Sequence, residues 1–158
     1  MKHLLSASIC VFLLFTTAFS QDLSKLSGVR KIYIDDLGRE EGSDLVREKL
    51  RVRLMKTDRF VVVEKREVAD AVLTGVAGVE RKYNSSVTTG PNGNVSGTGT
   101  TSFSGVGVLR LVDVKSEETI WVFEYKRGFS LGSASSRVAD KTVEQLLKDL
   151  KSLDKKKR

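Results

Sequence analysis

The chain of 158 residues contains one cysteine, one histidine and one proline. The first two are Cys10 and His3, both in the opening segment, so nothing after Ser20 supplies a thiolate or an imidazole. For that remainder, Cys or His nucleophiles, imidazole acid–base catalysis, disulfides and zinc sites built from nitrogen or sulfur ligands are excluded. Phosphate cradles are missing as well. Gly97-Thr98-Gly99 and Gly105-Val106-Gly107 lack a further glycine at the dinucleotide-binding spacing, and no Gly-Lys-Ser or Gly-Lys-Thr triplet occurs. Neither is there a loop with the alternating oxygen ligands and closing glutamate of a calcium site. No cofactor is expected.

The opening segment has the order of an export signal. Lys2 and His3 form a basic start, and Leu4 to Phe19 is mostly apolar but shorter than the ~20 residues a spanning helix needs. Ala18 and Ser20 put small residues at the positions preceding a cleavage site before Gln21. Residues 1–20 are therefore expected to be a signal peptide. Lipidation at Cys10 is not expected, because Ile9 stands where such signals need a small residue. The formal net charge is +7. In an exported protein this points to anionic lipid or an acidic wall polymer as an attractant ahead of nucleic acid, which is not expected as a partner.

Beyond the signal, hydrophobic periodicity alternates between strand and helix patterns. Val29 to Leu37 alternates with Ile32 and Ile34 on one face, a strand. Ser43 is placed as the N-cap of a helix whose apolar residues Leu45, Val46, Leu50, Leu54 and Met55 recur at three- and four-residue steps. Phe60 to Val63 is an unbroken apolar run, suited to a strand covered on both faces, and Ile120 to Phe123 reads likewise. Ala71 to Tyr83 is extended. Asn84 to Ser104 is rich in Ser, Thr, Gly and Asn and carries no charge, and its Gly90-Pro91-Asn92-Gly93 is the strongest turn signal in the chain. A strand from about Phe103 to Lys115, a turn at Ser116 to Glu118 and a strand from Thr119 to Lys126 make a second hairpin. Ser135 or Ser136 is expected to cap a last helix with the apolar stripe Val138, Ala139, Val143, Leu146, Leu147, Leu150 and Leu153.

The order strand-helix-strand-strand-strand-strand-helix predicts an α+β fold: a mixed, mainly antiparallel five-stranded sheet with two main helices. Residues 21–153 are expected to form a single domain with a hairpin insertion at 84–104, followed by a basic tail at 154–158. Either the helices lie on opposite faces of the sheet, or a partner covers one face.

Several phrases of this chain carry a family resemblance. They are Asp58-Arg59-Phe60-Val61-Val62-Val63-Glu64, Ala69-Asp70-Ala71-Val72-Leu73-Thr74-Gly75, and Leu109-Arg110-Leu111-Val112-Asp113-Val114 with Ile120-Trp121 beyond the turn. Together they resemble a family of bacterial envelope proteins that includes the curli-secretion channel component CsgG, lipoprotein activators of penicillin-binding proteins and the amino-terminal domain of TolB. The resemblance spans most of Val29 to Leu153. It implies an anticodon-binding-domain-like sheet with helices, and an envelope protein that works by contact with other proteins, with no catalytic residues. Pore formation is not expected, because Val87, Val95 and Phe103 are the only large apolar residues of the insertion and a lipid-facing strand needs one at every second position.

The expected function is that of an exported, non-enzymatic binding protein of the cell envelope, an accessory to outer-membrane assembly, secretion or wall synthesis. Its partner is expected to be an envelope protein or a second copy of the chain. Thr98 to Val108 is the expected contact region, with Thr98, Thr100, Gly105 and Gly107 as contact residues and main-chain pairing at an exposed edge as the mechanism. Gly105 and Gly107 share one strand face, which suits close approach by a helix or another chain, or a loosened edge strand. The basic tail Lys155, Lys156, Lys157 and Arg158 is a second candidate, facing anionic lipid. Two alternatives stand beside this reading. A hydrolase would rely on Asp35 or Glu41, although neighbouring strand residues such as Asp35 and Asp36 point to opposite faces. A nucleic-acid module would use Trp121, Phe123 and Tyr125 beside Lys126 and Arg127, unless those rings are core. Asn84-Ser85-Ser86 and Asn94-Val95-Ser96 match the glycosylation sequon, which matters only in a eukaryotic source.

Overall fold

The computed structural model describes residues 23–129 and 134–156. The expected signal peptide and its cleavage point lie outside the described residues, as do Lys157 and Arg158. The elements are α1 (Leu23–Leu26), β1 (Lys31–Ile34), α2 (Ser43–Met55), β2 (Val61–Val63), a single 3-10 turn (Arg66–Val68), β3 (Ala71–Thr89), β4 (Val95–Asp113), β5 (Thr119–Phe129) and α3 (Ala134–Lys156). Apart from the short α1, this is the expected order. The strands form one sheet in the order β2-β1-β3-β4-β5. β1 runs parallel to both β2 and β3, and the remaining pairs are antiparallel.

The burial pattern follows the pleat. In β1, Ile32 and Ile34 are buried and Lys31 is exposed. Their register partners Ala71 and Leu73 are buried beside them, and Leu109, Leu111 and Trp121 continue that face across the sheet. On to this face pack Val46, Leu50 and Leu54 of α2 and Val138, Leu146 and Leu150 of α3, with Leu26, Val29 and Phe60 closing the margin of a single core. The two helices also pack against each other. Their layer is tied by the Arg53–Asp140 ion pair, and the Trp121 indole N–H donates to Asp149 Oδ2 of α3 at 2.9 Å. Both helices therefore cover the same sheet face.

The local departures from expectation have specific causes. Ser43 does not cap α2. The N-cap is Gly42, at φ 76, with no side-chain cap bond, while Ser43 is the first helical residue and is buried. The chain enters the helix through a left-handed residue, a conformation glycine adopts at little cost. Ser135 and Ser136 likewise lie inside α3, which begins at Ala134, and the same helix extends through Lys155 and Lys156. Phe60 to Val63 is not covered on both sides. β2 is an edge strand, and Val61 is 59% exposed. In β5 Val122 is exposed, although Ile120 and Trp121 before it are both buried. Each apolar run therefore has a member on the open face.

The hairpin is longer and more regular than expected. The β3–β4 ladder continues without a break from Ala71↔Asp113 to Thr89↔Val95. It closes through Gly90 and Gly93, where Gly90 N–H donates to Asn94 O at 2.8 Å and Gly93 adopts φ 75. Ser, Thr and Val tolerate an extended backbone without a core beneath them.

Two glycines on these strands are steric requirements. Gly75 has φ 140, and a Cβ there would run into the Val108 carbonyl oxygen and Leu109 Cα of the paired strand. A Cβ on the buried Gly107 would meet Val138 Cγ1 of α3 at 3.2 Å and Ala77 Cβ at 3.6 Å. Of the readings left open for that glycine, close approach by a helix is the one observed, since β4 is paired on both sides there and is not an edge. In urea unfolding followed by circular dichroism, Gly75→Ala is expected to cost about 3 kcal/mol. Gly107→Leu is expected to cost about 2 kcal/mol by pushing α3 off the sheet.

Candidate binding surface

With α2 and α3 on one side, the opposite side of the sheet carries no α-helix among the described residues. β3 contributes Val72, Thr74 and Val76 to it, β4 contributes Val106, Val108, Arg110 and Val112, and β5 adds Val122 and Glu124, in the registers Val76↔Val108, Thr74↔Arg110 and Arg110↔Val122. Val76 is 47% exposed and Val108, directly opposite, 53%. Val76 and Val108 form an exposed apolar strip with Val106, crossed by the Thr74↔Arg110 pair before Val72 and Val112, and exposed apolar strips mark contact sites. At one end the strip runs into a cleft of about 450 Å³ with Val72 and Val112 in its floor. Arg66 and Glu67 of the 3-10 turn and Glu117 of the β4–β5 turn line it as well. At its other end lie the Glu80–Lys126 and Glu80–Lys82 ion pairs, at 3.7 and 3.9 Å.

Past these pairs, β3 and β4 leave the sheet as a two-stranded ribbon. β5 pairs with β4 only from Phe103 onward, and the edge of β3 away from β4 is taken by the Leu37 and Glu41 carbonyls as far as Val79. Beyond those points each ribbon strand has one edge with no strand beside it among the described residues. Along the ribbon the side chains sort by face. Tyr83, Val87, Val95 and Phe103 share the helix side, with Tyr83 lying across Gly99 and the Arg81 guanidinium 5.4 Å over the Phe103 ring. The other side carries Asn84, Ser86, Thr88, Ser96, Thr98 and Thr100, and the Ser86 and Thr98 hydroxyls are 2.7 Å apart. The sequence showed this stretch as uncharged. Its sorting into an apolar and a hydroxyl face was missed because the alternation is split between two strands and diluted by glycine.

The residues singled out from sequence fall in different places. Thr98 and Thr100 are exposed on the part of β4 that pairs with β3 alone. Gly105 and Gly107 are buried within the sheet and are not brought to the surface with them. Lys155 is exposed on α3. Trp121 is 1% exposed, and Phe123 and Tyr125 stack on it in succession, with ring centroids 5.8 and 6.2 Å apart, facing the core. The three rings belong to the core, so the exposed stacking platform of the nucleic-acid alternative is not formed.

The carboxylates named for hydrolysis are engaged in local structure. Asp35 Oδ1 accepts the Asp36 N–H at 2.9 Å, and its other oxygen lies 3.8 Å from Arg66. Glu41 receives the Arg81 guanidinium at 2.8 Å. The motif aspartates are also structural. Asp70 Oδ2 accepts the N–H groups of Lys31 at 2.7 Å and Arg30 at 2.9 Å, clamping the start of β1 to the start of β3. Asp113 closes the β4–β5 turn by accepting the Ser116 and Lys115 N–H groups and the Ser116 hydroxyl. Both carboxyls are held below the usual range, chiefly by the Lys31 N–H for Asp70 and the Ser116 N–H for Asp113, against an opposing desolvation. Among the described residues no group of three or more His, Cys, Asp or Glu is placed to hold a metal ion, and no helix is long and apolar enough to cross a membrane.

No protein-family model and no curated protein matches the sequence. Among solved structures, the chain is similar to PelC of Paraburkholderia phytofirmans, described as a dodecamer, at 16% identity and a TM-score of 0.47, covering 78% of this chain and 88% of that one. It is similar to a minor lipoprotein from Acinetobacter baumannii at 12% identity and a TM-score of 0.44, over 75% of this chain and 93% of that one. A hypothetical protein from Chlamydia trachomatis matches at 13% identity and a TM-score of 0.44, over 66% of this chain and 75% of that one.

The Asp70 clamp sets a pH dependence. A carboxylate stabilised in the fold contributes its full share above the unfolded value near 4, and that share is lost as pH falls through the depressed folded value. Asp70→Ala is expected to cost about 1–2 kcal/mol at neutral pH, two charge-assisted hydrogen bonds being lost. The difference from the parent should shrink as unfolding is repeated below about pH 4.

Proposed function

We propose that this is an exported, non-catalytic binding protein of a bacterial cell envelope, an accessory to outer-membrane assembly, secretion or wall synthesis in the manner of the CsgG-like group. Its partner is an envelope protein, which includes a second copy of the chain. The observation that carries the reading is the one-sided sheet. Val76 and Val108 lie exposed side by side, and the adjoining ribbon offers unpaired main-chain edges at Thr98 and Thr100. A partner strand adds to such an edge through main-chain hydrogen bonds, while the valine strip supplies apolar contact. The export-signal pattern of residues 1–20 supports the location. The structural roles of Asp35, Glu41, Asp70 and Asp113 support contact over turnover as the mode of action.

Crosslinking in intact cells followed by mass spectrometry tests this. Val76→Glu with Val108→Glu, and separately Thr98→Lys with Thr100→Lys, alter only exposed side chains. Each pair is expected to lower partner crosslinking about tenfold or more, as removal of central contacts does elsewhere, with an unchanged melting temperature. Asp35→Ala and Glu41→Ala should leave crosslinking intact. Unchanged crosslinking in both pairs, or a turnover activity lost on replacing Asp35 or Glu41 in a folded protein, overturns the reading.

A further inference from the structure

The side of the molecule away from the open sheet has its own pattern. In α2 the buried residues Val46, Leu50 and Leu54 face the core, and Leu45, Val52 and Met55 lie opposite them at 51%, 46% and 64% exposure. Three apolar side chains pointing to solvent from one helix stripe gain nothing from the fold itself. In α3 the stripe opposite the buried Val138, Leu146 and Leu150 contains Lys141, Glu144, Lys148, Lys151 and Lys155, all exposed. The two helices lie side by side on one sheet face, so both solvent stripes belong to one outer surface.

Charge on this surface does not cancel. Three of its carboxylates are matched, Glu48 with Arg51, Asp140 with Arg53 and Glu144 with Lys141, and the exposed Asp44 and Asp154 lie at the ends of α2 and α3. Lys148, Lys151 and Lys155 have no carboxylate partner among the described residues. They line a groove of about 550 Å³ along α3 together with Glu144, the half-buried Leu147 and the exposed Ser152.

We infer that this outer helix surface docks on an anionic phospholipid bilayer. Uncompensated lysines supply the attraction to the head groups, and their aliphatic stems can lie along apolar surface while the ammonium groups stay at the phosphates. Leu45, Val52 and Met55 supply what a bilayer rewards, an apolar row on the same outer surface as a basic one, as in helices that lie in the membrane interface. A soluble acidic polymer would use the lysines and leave the apolar row in water, so the lipid surface accounts for both observations. Docking in this manner leaves Val76 and Val108 on the side of the sheet turned away from the membrane.

Vesicle flotation of the full chain tests the inference, with phosphatidylcholine vesicles that either contain or lack phosphatidylglycerol. Variants are read against the parent, so any contribution of the apolar opening segment is common to both. The parent is expected to float with phosphatidylglycerol vesicles, less so as salt is raised. Lys148→Gln, Lys151→Gln and Lys155→Gln together should weaken this partition about a hundredfold, at roughly fivefold per lysine. Leu45→Ser, Val52→Ser and Met55→Ser together should weaken it about tenfold or more while leaving binding to soluble polyphosphate at the parent level. Single variants Lys151→Gln and Val52→Ser carry the same comparison should a triple variant fold poorly. Equal flotation with both vesicle types, or no effect of the lysine replacements, overturns the inference. If the serine variants bind vesicles as the parent does, the apolar row takes no part in binding and the inference, which needs it, is overturned in favour of attraction by the lysines to any anionic polymer or surface. These replacements lie on the opposite side from Val76 and Val108, so failure here leaves the partner-binding reading standing, and the reverse holds as well.

Discussion

The fold rests on the burial of two amphipathic helices against a single face of one sheet. α2 and α3 each bury one apolar stripe, and the buried stripes meet Ile32, Leu73, Leu109, Leu111 and Trp121 from the same side. Once both helices lie on that face, neither is left to cover the other. The second face is left with valines that only partly shield one another, and the chain's outer layer becomes whatever the helices present to solvent. Two surfaces of different chemistry follow from this one packing: an apolar strip of β-branched side chains on the sheet side, and lysines with an apolar row on the helix side.

Polar groups within the fold act mainly as fasteners. Asp70 accepts two N–H groups at the start of β1, Asp113 closes a turn, and the Trp121 indole is held by Asp149. Buried or half-buried polar atoms are costly unless bonded, so such side chains are tied to fixed backbone partners. The phrases that carried the family resemblance are built from the same parts. Asp70 is a clamp, Phe60 a core residue, and Gly75 a backbone position that no side chain fits. They explain a shared architecture and leave the work of recognition to surfaces.

The ribbon differs from the rest because it has no core to lean on. Its ladder is held by main-chain hydrogen bonds and short cross-strand contacts such as Ser86 with Thr98 and Arg81 over Phe103. A two-stranded ribbon alone is marginally stable in water, and its free edges satisfy their hydrogen bonds through solvent or through a partner strand. Loss of charge between Asn84 and Ser104 removes one of the devices by which natural edges resist pairing.

Element order, the turn at Gly90 to Gly93 and the core stripes of both helices were legible from periodicity alone, because each depends on spacing along the chain. The caps at Ser43 and Ser135 were misplaced. Choosing between a side-chain cap and a left-handed Gly42 requires knowing how the chain approaches the helix, and that is decided by contacts with β3 and α3. Gly105 and Gly107 shared a strand face, as alternation requires, but whether that face met a helix, a partner or water was not encoded in the strand. The local pattern of Phe60 to Val63 could not reveal an edge strand, because an apolar run is the same at the centre and the margin of a sheet. What the sequence by itself determined is which residues alternate, which recur at helical steps and where no charge lies, since these are properties of neighbours in the chain. Only the tertiary structure decided that both helices take the same side, because that choice depends on long-range packing between segments whose individual patterns permit either face.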